Sequence, residues 1–323
     1  MPELPEVETV RRGLQRLIVG RRVDTVAVDS PRSFAASPAT SVARDLLGAQ
    51  ITAIARRGKV LMLGLAPESD GGTSARTKES TARDDATDLR ATDSDPCLVV
   101  HLKMTGQLVF RGAEEHWGGG HPSDSLVDAL PDRSTRVTIG FEDGSTLFFN
   151  DQRKFGWIHL MTRVEAAALD LIATMGPEPL PELDHTPDPW PEFLSRIRRH
   201  SRTSIKAALL NQTVIAGVGN IYADEADWSA YIHPATPVAQ LSDDRLRELL
   251  AGVQQVMRLS IDHGGSTDRN YVDAEGRRGS YLTFANVFRR EGEPCRRCGA
   301  TIIKIRVAGR GTHICPTCQP APS

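Results

Sequence analysis

The sequence predicts an α+β protein, and three observations carry that prediction. An amphipathic helix near the N-terminus is followed by short β-branched and aromatic segments, which favour an antiparallel sheet. From about residue 190 the apolar periodicity becomes helical. The chain then ends in a cysteine-rich segment that is typical of a small metal-bound hairpin. A length of 323 residues suits two domains better than one.

The first element is a helix predicted over residues 5–18. Its apolar residues recur at spacings of three and four, and Gly20 ends it. They are Val7, Val10, Leu14, Leu17 and Ile18.

The residues before this helix, MPELPEV, support two interpretations. Proline fits a first helical turn, and the acidic residues Glu3, Glu6 and Glu8 suit the positive end of the helix dipole. Alternatively, removal of Met1 leaves Pro2 as a secondary amine beside an acid, which is a potential nucleophile. These residues alone leave both interpretations open.

Five segments predict an antiparallel sandwich or barrel-like sheet, with FEDGSTLFF as a hairpin. They are VDTVAV, ITAIARRGKVLMLGL, PCLVVHLKMTGQLVF, RVTIGFEDGSTLFFN and FGWIHL. Cys97 lies at a strand start and is expected to be a small buried apolar residue. Loop insertions are predicted at 66–96 and 112–133. The first has no aromatic residue and too little apolar surface to offset the entropy of ordering, so we expect disorder there, and the second is glycine-rich.

A stretch with six prolines predicts a linker over 176–191, after an N-terminal domain over 1–175. The remainder divides into a helical domain, 192–288, and a cysteine tail, 289–323. The helical segments are FLSRIRRH, SIKAALLNQ, YADEADWSA and DDRLRELLAGVQQVMRLSIDHG.

The formal net charge of −2 conceals an uneven distribution of charge. Residues 68–95 carry eight acidic and four basic side chains, and without them the net charge would be +2. Residues 193–223 carry five basic side chains and no acid, and 289–313 carry seven against two. There is no apolar run of 18 residues and no basic-then-apolar leader, so we expect a cytoplasmic protein without membrane insertion.

Four cysteines in the tail have the spacing of a zinc site. Cys295 and Cys298 form one CxxC pair, and Cys315 and Cys318 form a second after sixteen residues. Each pair can supply two thiolates to a tetrahedral Zn²⁺, and four protein ligands leave no open position for water, so we predict one structural zinc ion. Disulfides are the alternative for a secreted protein, which a cytosolic chain disfavours.

Arg310 lies between two glycines near the tip of the predicted hairpin. An arginine flanked by glycines can approach a phosphate closely, although a solvated turn arginine is the commoner case. The pattern alone does not decide between them.

Several stretches, in order along the chain, closely resemble the bacterial formamidopyrimidine-DNA glycosylases, bifunctional base-excision enzymes that remove oxidised purines. They are MPELPEVETVRRGL, RRGKVLMLGL, HLKMTGQL, NDQRKFG, MGPEPL, SIKAALLNQTVIAGVGNIYADEA, HGGST and the tail from GEPC to CPTC. The resemblance implies an N-terminal β-sandwich, a helix-two-turn-helix domain over 192–288 and a zinc finger. It also implies a monomer whose partner is double-stranded DNA with oxidised bases or abasic sites.

The resemblance assigns catalytic roles to four residues. Pro2 would attack C1′ of the damaged nucleotide and hold the sugar as a Schiff base, and Glu3 would donate a proton, with Glu6 as a candidate to orient the network. Lys59 would transfer protons in β-elimination, and Arg310 would contact phosphates and serve δ-elimination. Without the resemblance, Lys59 would be interpreted as a solvated lysine at the end of a strand.

DNA contacts are implied as well. The resemblance assigns Met104, Arg153 and Phe155 to the space left by a flipped nucleotide, where an apolar wedge and an arginine suit the orphaned base. Taken singly, Met104 and Phe155 are more typical of a core.

GVGNIY lies between two apolar helices, so its glycine turn can present backbone N–H groups and the Asn220 amide to phosphates. Arg202 and Lys206 would supply charge for the DNA backbone.

The chain departs from the family pattern in places. The usual His contact ahead of RVTIGF is absent, so Arg133 or Arg136 is a candidate replacement. Asp-Pro-Arg-Arg becomes Asp151-Gln152-Arg153-Lys154, and the acidic insertion after Leu65 should point away from DNA because its charge opposes binding.

Two other functions fit parts of the sequence. An endonuclease VIII-type glycosylase for oxidised pyrimidines normally opens with Pro-Glu-Gly-Pro, which the Pro-Glu-Leu-Pro here disfavours. A non-catalytic zinc-dependent protein that binds damaged DNA would not need Pro2 and Glu3.

Overall fold

The computed structural model describes residues 2–37, 40–67, 94–121, 129–266 and 281–322. The chain divides into two compact units. The first unit contains Pro2 and the described residues within Val7–Ala173, and the second comprises Glu3–Glu6, 174–266 and 281–322. The division therefore runs through the first helix. Most of the predicted loop over 66–96 lies outside the described residues.

The first unit consists of short helices and two five-stranded sheets. The helices are α1 (Leu4–Ile18, whose first turn belongs to the second unit), α2 (Val42–Asp45), α3 (Arg163–Ala168) and α4 (Asp170–Ala173). The strands are β1 (Val23–Val28), β2 (Phe34–Ala36), β3 (Gln50–Arg57), β4 (Val60–Ala66), β5 (Pro96–His101), β6 (Gly106–Arg111), β7 (His116–Gly120), β8 (Thr135–Phe141), β9 (Thr146–Asp151) and β10 (Trp157–Thr162). The sheet orders are β1-β8-β9-β6-β7 and β2-β10-β5-β4-β3.

The core of this unit confirms the predicted sandwich. The apolar stripe of α1 is buried, with none of its five residues more than 3% exposed, and it packs with apolar side chains of both sheets. The hairpin over FEDGSTLFF is formed by β8 and β9, and Cys97 is buried on β5 as predicted. One strand pair, β2 with β10, is parallel rather than antiparallel. More than a hundred residues separate these strands, so no tight turn constrains their relative direction.

Strand β7 (His116–Gly120) corrects part of the loop prediction over 112–133, of which residues 122–128 lie outside the described residues. A glycine run normally indicates a loop, but here the missing side chains let α1 approach the sheet. A Cβ atom on Gly119 would lie 2.8 Å from Val10 Cγ2. On α1 itself, a Cβ atom on Gly13 would lie 2.3 Å from the Trp117 ring. The glycines therefore permit close packing of helix on strand.

The second unit is mainly helical. Its elements are α5 (Pro181–Asp184), α6 (Trp190–Arg198), α7 (Ile205–Leu210), α8 (Asn220–Ser229), α9 (Asp243–Asp262), a hairpin of β11 (Ile303–Val307) and β12 (Arg310–Ile314), and 3₁₀ turns at Val238–Gln240 and Tyr281–Thr283. The apolar faces of α6 to α9 share one core, which also contains Leu4.

The proline-rich stretch 176–191 is packed against its unit rather than extended as a free linker. Leu180 is fully buried. Two side chains of α9 bind this stretch: Gln254 donates to the Pro179 carbonyl at 2.9 Å, and Arg258 pairs with Glu182 at 2.6 Å. Among the described helices, none has the length and hydropathy needed to cross a bilayer.

Candidate active site and zinc centre

The Glu3 carboxylate lies at the N-terminus of α8. Its two oxygens accept the backbone N–H groups of Ile221, at 3.0 Å, and Tyr222, at 3.4 Å. The first N–H groups of a helix have no partner within the helix, and the helix dipole favours a carboxylate there. Glu3 is 3% exposed, so the helix end holds a buried acid directly after Pro2 in the chain.

The GVGN turn makes room for this acid. A Cβ atom on Gly219 would lie 2.2 Å from Glu3 Cδ, and one on Gly217 would lie 2.5 Å from Leu4 Cβ. Gly217 also has a φ of +77°, and its carbonyl accepts the Leu4 N–H at 3.1 Å. The turn thus binds the segment MPEL. This corrects part of the sequence prediction, because two of the N–H groups expected to face phosphate are occupied by Glu3.

Glu6 fixes the backbone of Glu3. One Glu6 oxygen accepts the Glu3 N–H at 2.8 Å, and the other accepts the Tyr222 hydroxyl at 2.6 Å and the Ser266 N–H at 2.8 Å. Burial, followed by the charges of Glu6 and Glu3, raises the pKa of Tyr222 well above its usual value. Tyr222 therefore remains a neutral donor to Glu6.

Pro2 and Lys59 belong to the first unit. Pro2 is buried. Lys59 lies between β3 and β4 and is 7% exposed, so the reading of a solvated strand-end lysine is wrong. Burial, with smaller effects from the charges of Lys103 and Lys59, lowers the pKa of His101 to about 3. The imidazole is therefore neutral, and its Nδ1 accepts the Lys103 N–H at 3.0 Å.

Met104, Arg153 and Phe155, here called the Met–Arg–Phe cluster, come together on the surface of the first unit. Met104 is 39% exposed and Phe155 is 53% exposed, so the interpretation of these two residues as part of a hydrophobic core is wrong. Arg153 Nη1 lies 3.1 Å from Met104 Sδ, and the guanidinium carbon lies 4.9 Å from the centre of the Phe155 ring. Two loops distant in sequence thus present one apolar and cationic projection.

Of the two candidates for the missing His contact, Arg136 is excluded by its surroundings. It is 8% exposed, and its guanidinium donates to the carbonyls of Asp151, at 2.9 Å, and Thr135, at 3.3 Å. Arg133 is exposed.

The four tail cysteines form a tetrathiolate site. Their Sγ atoms all lie within 4.8 Å of one another, as four ligands of a single Zn²⁺ must. Burial and neighbouring thiols raise the pKa of Cys318 to about 12. Burial also acts to raise the pKa of Cys295, but hydrogen-bond donors, chiefly the backbone N–H groups of Arg297 and Cys298, outweigh it and lower that pKa to about 6. Sulfurs crowded in this way fit a bound cation, so the site is a structural zinc centre.

Strand β12 of the hairpin is bound to α8. Asn220 donates to the Gly311 carbonyl at 3.2 Å, and Asp224 accepts the His313 N–H at 2.9 Å. Lys206 from α7 pairs with Asp224 and donates to the Thr312 hydroxyl at 2.7 Å. The same helix that holds Glu3 therefore also holds the strand that begins with Arg310.

Lys206 is consequently not a contact for the DNA backbone. Its side chain is completely buried and ion-paired, which corrects the sequence prediction. Arg202 and Arg310 are exposed. The basic segment around residue 206 thus contains one structural lysine among surface arginines.

Sequence reasoning missed several buried acids that organise the site. Glu225 is fully buried and accepts the N–H groups of Asn286, Val287 and Phe288, each at 2.8 Å, which fixes the chain before the zinc site. Asp224 and Asp151 are equally buried. The composition of YADEADWSA could have indicated the acids on α8, because three acidic residues in a helix that is predicted to be buried require partners inside the protein.

Comparisons with known proteins agree along the whole chain. Residues 1–158 match the formamidopyrimidine-DNA glycosylase N-terminal domain, 175–271 match the H2TH domain of the same proteins, and 292–321 match a zinc finger found in FPG and IleRS. A formamidopyrimidine-DNA glycosylase of Chloroflexus aurantiacus is 40% identical over 320 residues, which is 99% of this chain and 98% of that protein.

Solved structures give the same result. Lactococcus lactis Fpg bound non-covalently to DNA with an AP site has 32% identity and a TM-score of 0.75. MutM in complex with DNA containing carbocyclic 8-oxo-G has 33% identity and the same TM-score. Both comparisons cover 99% of this chain and 100% of the other. With the predicted sandwich, helical unit and zinc centre all present, this chain belongs to the formamidopyrimidine-DNA glycosylase family.

Proposed function

We propose that this protein removes oxidised purines, namely 8-oxoguanine and formamidopyrimidines, from duplex DNA and then cleaves the abasic site by β,δ-elimination. The observation that carries the proposal is Glu3, a buried acid held by the N-terminus of α8 and directly bonded in sequence to Pro2. A protein that only bound DNA would not need an amine nucleophile next to this acid. Relatives with similar folds have been solved in complex with DNA that contains an AP site and with DNA that contains carbocyclic 8-oxo-G.

The proposed nucleophile is the Pro2 nitrogen after loss of Met1. An unperturbed α-amino group has a pKa of about 7.7 to 8.0, so a useful fraction is unprotonated near neutrality. The nitrogen lone pair attacks C1′ and the glycosidic bond breaks, so that the base leaves with the bonding electrons. In the net reaction the base gains the proton that the alkylated Pro2 nitrogen loses, and O4′ takes up a further proton when the sugar ring opens. Because the amine is secondary, opening of the sugar ring yields a cationic iminium directly.

Glu3 is assigned the proton transfer that assists ring opening or departure of the base. Glu6 supports this role by holding the Glu3 backbone through its N–H. Lys59 is assigned the proton transfers of β-elimination and a phosphate contact. Arg310, exposed at the start of β12, is assigned the phosphate contact and δ-elimination.

The Met–Arg–Phe cluster suits the removal of a nucleotide from the helix. Flipping costs a few kcal/mol of lost stacking and pairing, which inserted side chains offset. The apolar surfaces of Met104 and Phe155 would fill the gap, and Arg153 would donate hydrogen bonds to the orphaned base. Exposure of large apolar side chains around an arginine supports this assignment.

DNA backbone contacts are assigned to Arg202 and to the Asn220 amide. The Asn220 amide donates one N–H to the Gly311 carbonyl. A primary amide has a second N–H, which would be donated to a phosphate oxygen. We also propose that the protein works with chromosomal DNA in the bacterial cytoplasm, a reducing compartment in which four zinc-bound thiols would remain reduced.

The central test is covalent trapping. Borohydride should reduce the iminium between the wild-type protein and a duplex with 8-oxoguanine opposite cytosine, giving an adduct that the Pro2→Gly variant loses. Absence of the adduct with intact, DNA-binding protein would overturn the proposal in favour of a damage-binding protein.

Two further arms sharpen this experiment. An extension fused in front of Pro2 should abolish excision while leaving DNA binding largely intact, and proteolytic removal of the extension should restore excision. Faster excision from oxidised-pyrimidine duplexes than from 8-oxoguanine duplexes would favour the endonuclease VIII-type alternative.

A further inference from the structure

The Met–Arg–Phe cluster stands on two loops that lie beside each other. Met104 follows β5, whereas Arg153 and Phe155 follow β9. Exposed side chains on separate loops keep a common geometry only if something beneath them fixes both loops. The residues beneath are Thr105 and Asp151, which are 9% and 0% exposed.

We propose that Asp151 and Thr105 are positioning residues that lock the two loops together and so hold the Met–Arg–Phe cluster ready to enter DNA. This inference deepens the proposed function and rests on it for the role of the cluster. Neither residue is assigned to contact substrate.

The hydrogen bonds of this pair reach both loops. The Thr105 hydroxyl donates to Asp151 Oδ1, and the Arg153 N–H lies 3.1 Å from both Thr105 Oγ1 and Asp151 Oδ1. Asp151 Oδ2 accepts the Gly156 N–H at 2.6 Å. Met104 precedes Thr105 and Phe155 precedes Gly156, so each member of the cluster lies at or next to an anchored residue.

The backbone of Asp151 is itself anchored. Its N–H donates to the Ser134 carbonyl at 2.8 Å, and its carbonyl accepts Arg136 Nε at 2.9 Å. Arg136 is buried, so this contact is part of the protein interior. Asp151 therefore has a fixed main chain from which its carboxylate can hold the loops.

The loop backbones need such support. Lys103 and Lys154 have φ angles of +50° and +57°, a left-handed conformation that residues with a Cβ atom rarely adopt. Conformations of this kind persist where surrounding contacts over-determine them, and they concentrate at functional sites. Lys103 is held by its N–H bond to His101 Nδ1, and Lys154 lies between the two N–H groups that Asp151 accepts.

The hydrogen-bonding groups of Thr105 and Asp151 determine which substitutions test the proposal. Asp151 receives donors at both oxygens, so in Asp151→Asn the amide NH₂ must face a donor. Thr105→Val keeps the shape and removes the hydroxyl, whereas Thr105→Ser keeps the hydroxyl. Serine is therefore the matched control, since loss of packing alone would affect it more than valine.

The first measurement does not depend on catalysis. In the free, zinc-loaded full chain, amide hydrogen exchange of Arg153 should accelerate at least about 10-fold in Thr105→Val, which removes Thr105 Oγ1 as an acceptor. In Asp151→Asn, the exchange of Arg153 or Gly156 should accelerate by a similar factor, because the amide NH₂ replaces one of the two accepting oxygens. Thr105→Ser should exchange at nearly the wild-type rate. Equal exchange in valine and serine variants, or unchanged exchange in Asp151→Asn, would overturn the proposal.

The second measurement links position to use of the cluster. Displacement of a reacting group by about 1 Å can cost on the order of 100-fold in rate, so single-turnover excision from a paired 8-oxoguanine duplex should fall about 10- to 100-fold in Thr105→Val. Borohydride trapping on single-stranded abasic DNA, which has no base pair to open, should be preserved. A similar loss on both substrates would indicate a general structural defect and would contradict the inference.

Failure of the two proposals can be told apart. If wild-type protein forms no adduct on any DNA, the proposed function fails, and the exchange experiment still tests the loop lock. If wild-type protein is active and the valine variant equals it in both measurements, the loop lock alone fails.

Discussion

At the scale of single residues, the most consequential contact is the one between Gly219 and Glu3. There is no space for a side chain at position 219, because its Cβ atom would overlap the Glu3 carboxyl group. Gly219→Ala should therefore displace Glu3 from the helix end. Since general acids typically contribute 10²- to 10⁴-fold, we expect excision to fall by about 100-fold or more, measured under single-turnover conditions.

The control for this prediction is the same change without the acid. In a Glu3→Ala background the space is vacated, so Gly219→Ala should cost little further activity and the two changes should be strongly non-additive. Full additivity in this cycle would show that the glycine acts through something other than Glu3.

Asp227 gives a prediction about stability and pH. It is fully buried on α8, and neither carboxyl oxygen has a hydrogen-bond partner among the described residues. Burial, and then the charge of Asp224, raise its pKa well above 3.8. Asp227 thus binds its proton more tightly in the folded state, so its contribution to stability falls as pH rises above the unfolded value of 3.8.

The neutral isostere Asp227→Asn should remove this dependence. We expect the variant to resemble wild type in urea unfolding near about pH 4 and to exceed it in free energy of unfolding near about pH 8. A constant difference between the two proteins across this range would contradict a raised pKa at Asp227.

The sequence predicts the chemistry of individual residues better than their surroundings. The spacing of Cys295, Cys298, Cys315 and Cys318 predicts the zinc ligands, because the chemistry of a tetrathiolate depends on local spacing. The prediction that Lys206 contacts DNA is wrong, because this lysine pairs with a buried carboxylate 18 positions further along the chain. A basic run therefore predicts a surface only on average.

At the scale of elements, α8 is the shared support of the site. Its N-terminus holds Glu3, and its Asp224 holds both α7, through Lys206, and β12, through the His313 N–H. Each partner is thus placed against the same rigid helix. The geometry of the proposed acid and of the strand bearing Arg310 has one common reference.

Breaking the Lys206–Asp224 pair should loosen this support. Removing one partner of a buried ion pair typically costs about 3 to 5 kcal/mol, so Lys206→Met should lower the free energy of unfolding of the zinc-loaded protein by about that amount. Adding Asp224→Asn, which keeps an acceptor for the His313 N–H, should recover much of the loss. Urea titrations of Lys206→Met, the double variant and wild type check this, and a double variant less stable than Lys206→Met would contradict it.

Element boundaries follow from the sequence where periodicity is strong. The α1 stripe and the β8–β9 hairpin are predicted because each encodes its own period and turn. The sequence does not predict strand β7, because its glycines allow close packing against α1, and that contact cannot be seen in the neighbouring sequence. The stretch 176–191 is likewise read as a linker because its prolines conceal contacts to α9.

At the scale of the whole molecule, one stretch of the chain carries net negative charge, the same sign as DNA, which is the expected partner. Residues 68–93 carry seven acidic and four basic side chains, so replacing them with a neutral Gly/Ser segment changes the formal net charge from −2 to +1. Long-range charge mainly affects the rate of association. We expect the replacement to raise the association rate with DNA roughly 2- to 5-fold at low salt, measured by stopped-flow fluorescence.

Salt provides the check on this prediction. Screening shortens the range of such fields to about 3 Å at 1 M salt, so the difference should vanish there. A replacement of equal length that keeps the original charge should behave as wild type. Equal rates for both replacements at low salt would show that charge is not the cause.

The division of the chain within α1 has a consequence for synthesis. Glu3 is made 218 positions before Ile221, whose N–H holds it. At about 5 to 20 residues per second, the ribosome needs about 10 to 45 s to cover that distance, and the first unit has time to fold meanwhile. The proposed acid is thus put in place only after α8 exists. A chain still being made, or one truncated before that helix, carries Pro2 and Glu3 without the support that would let them cut DNA.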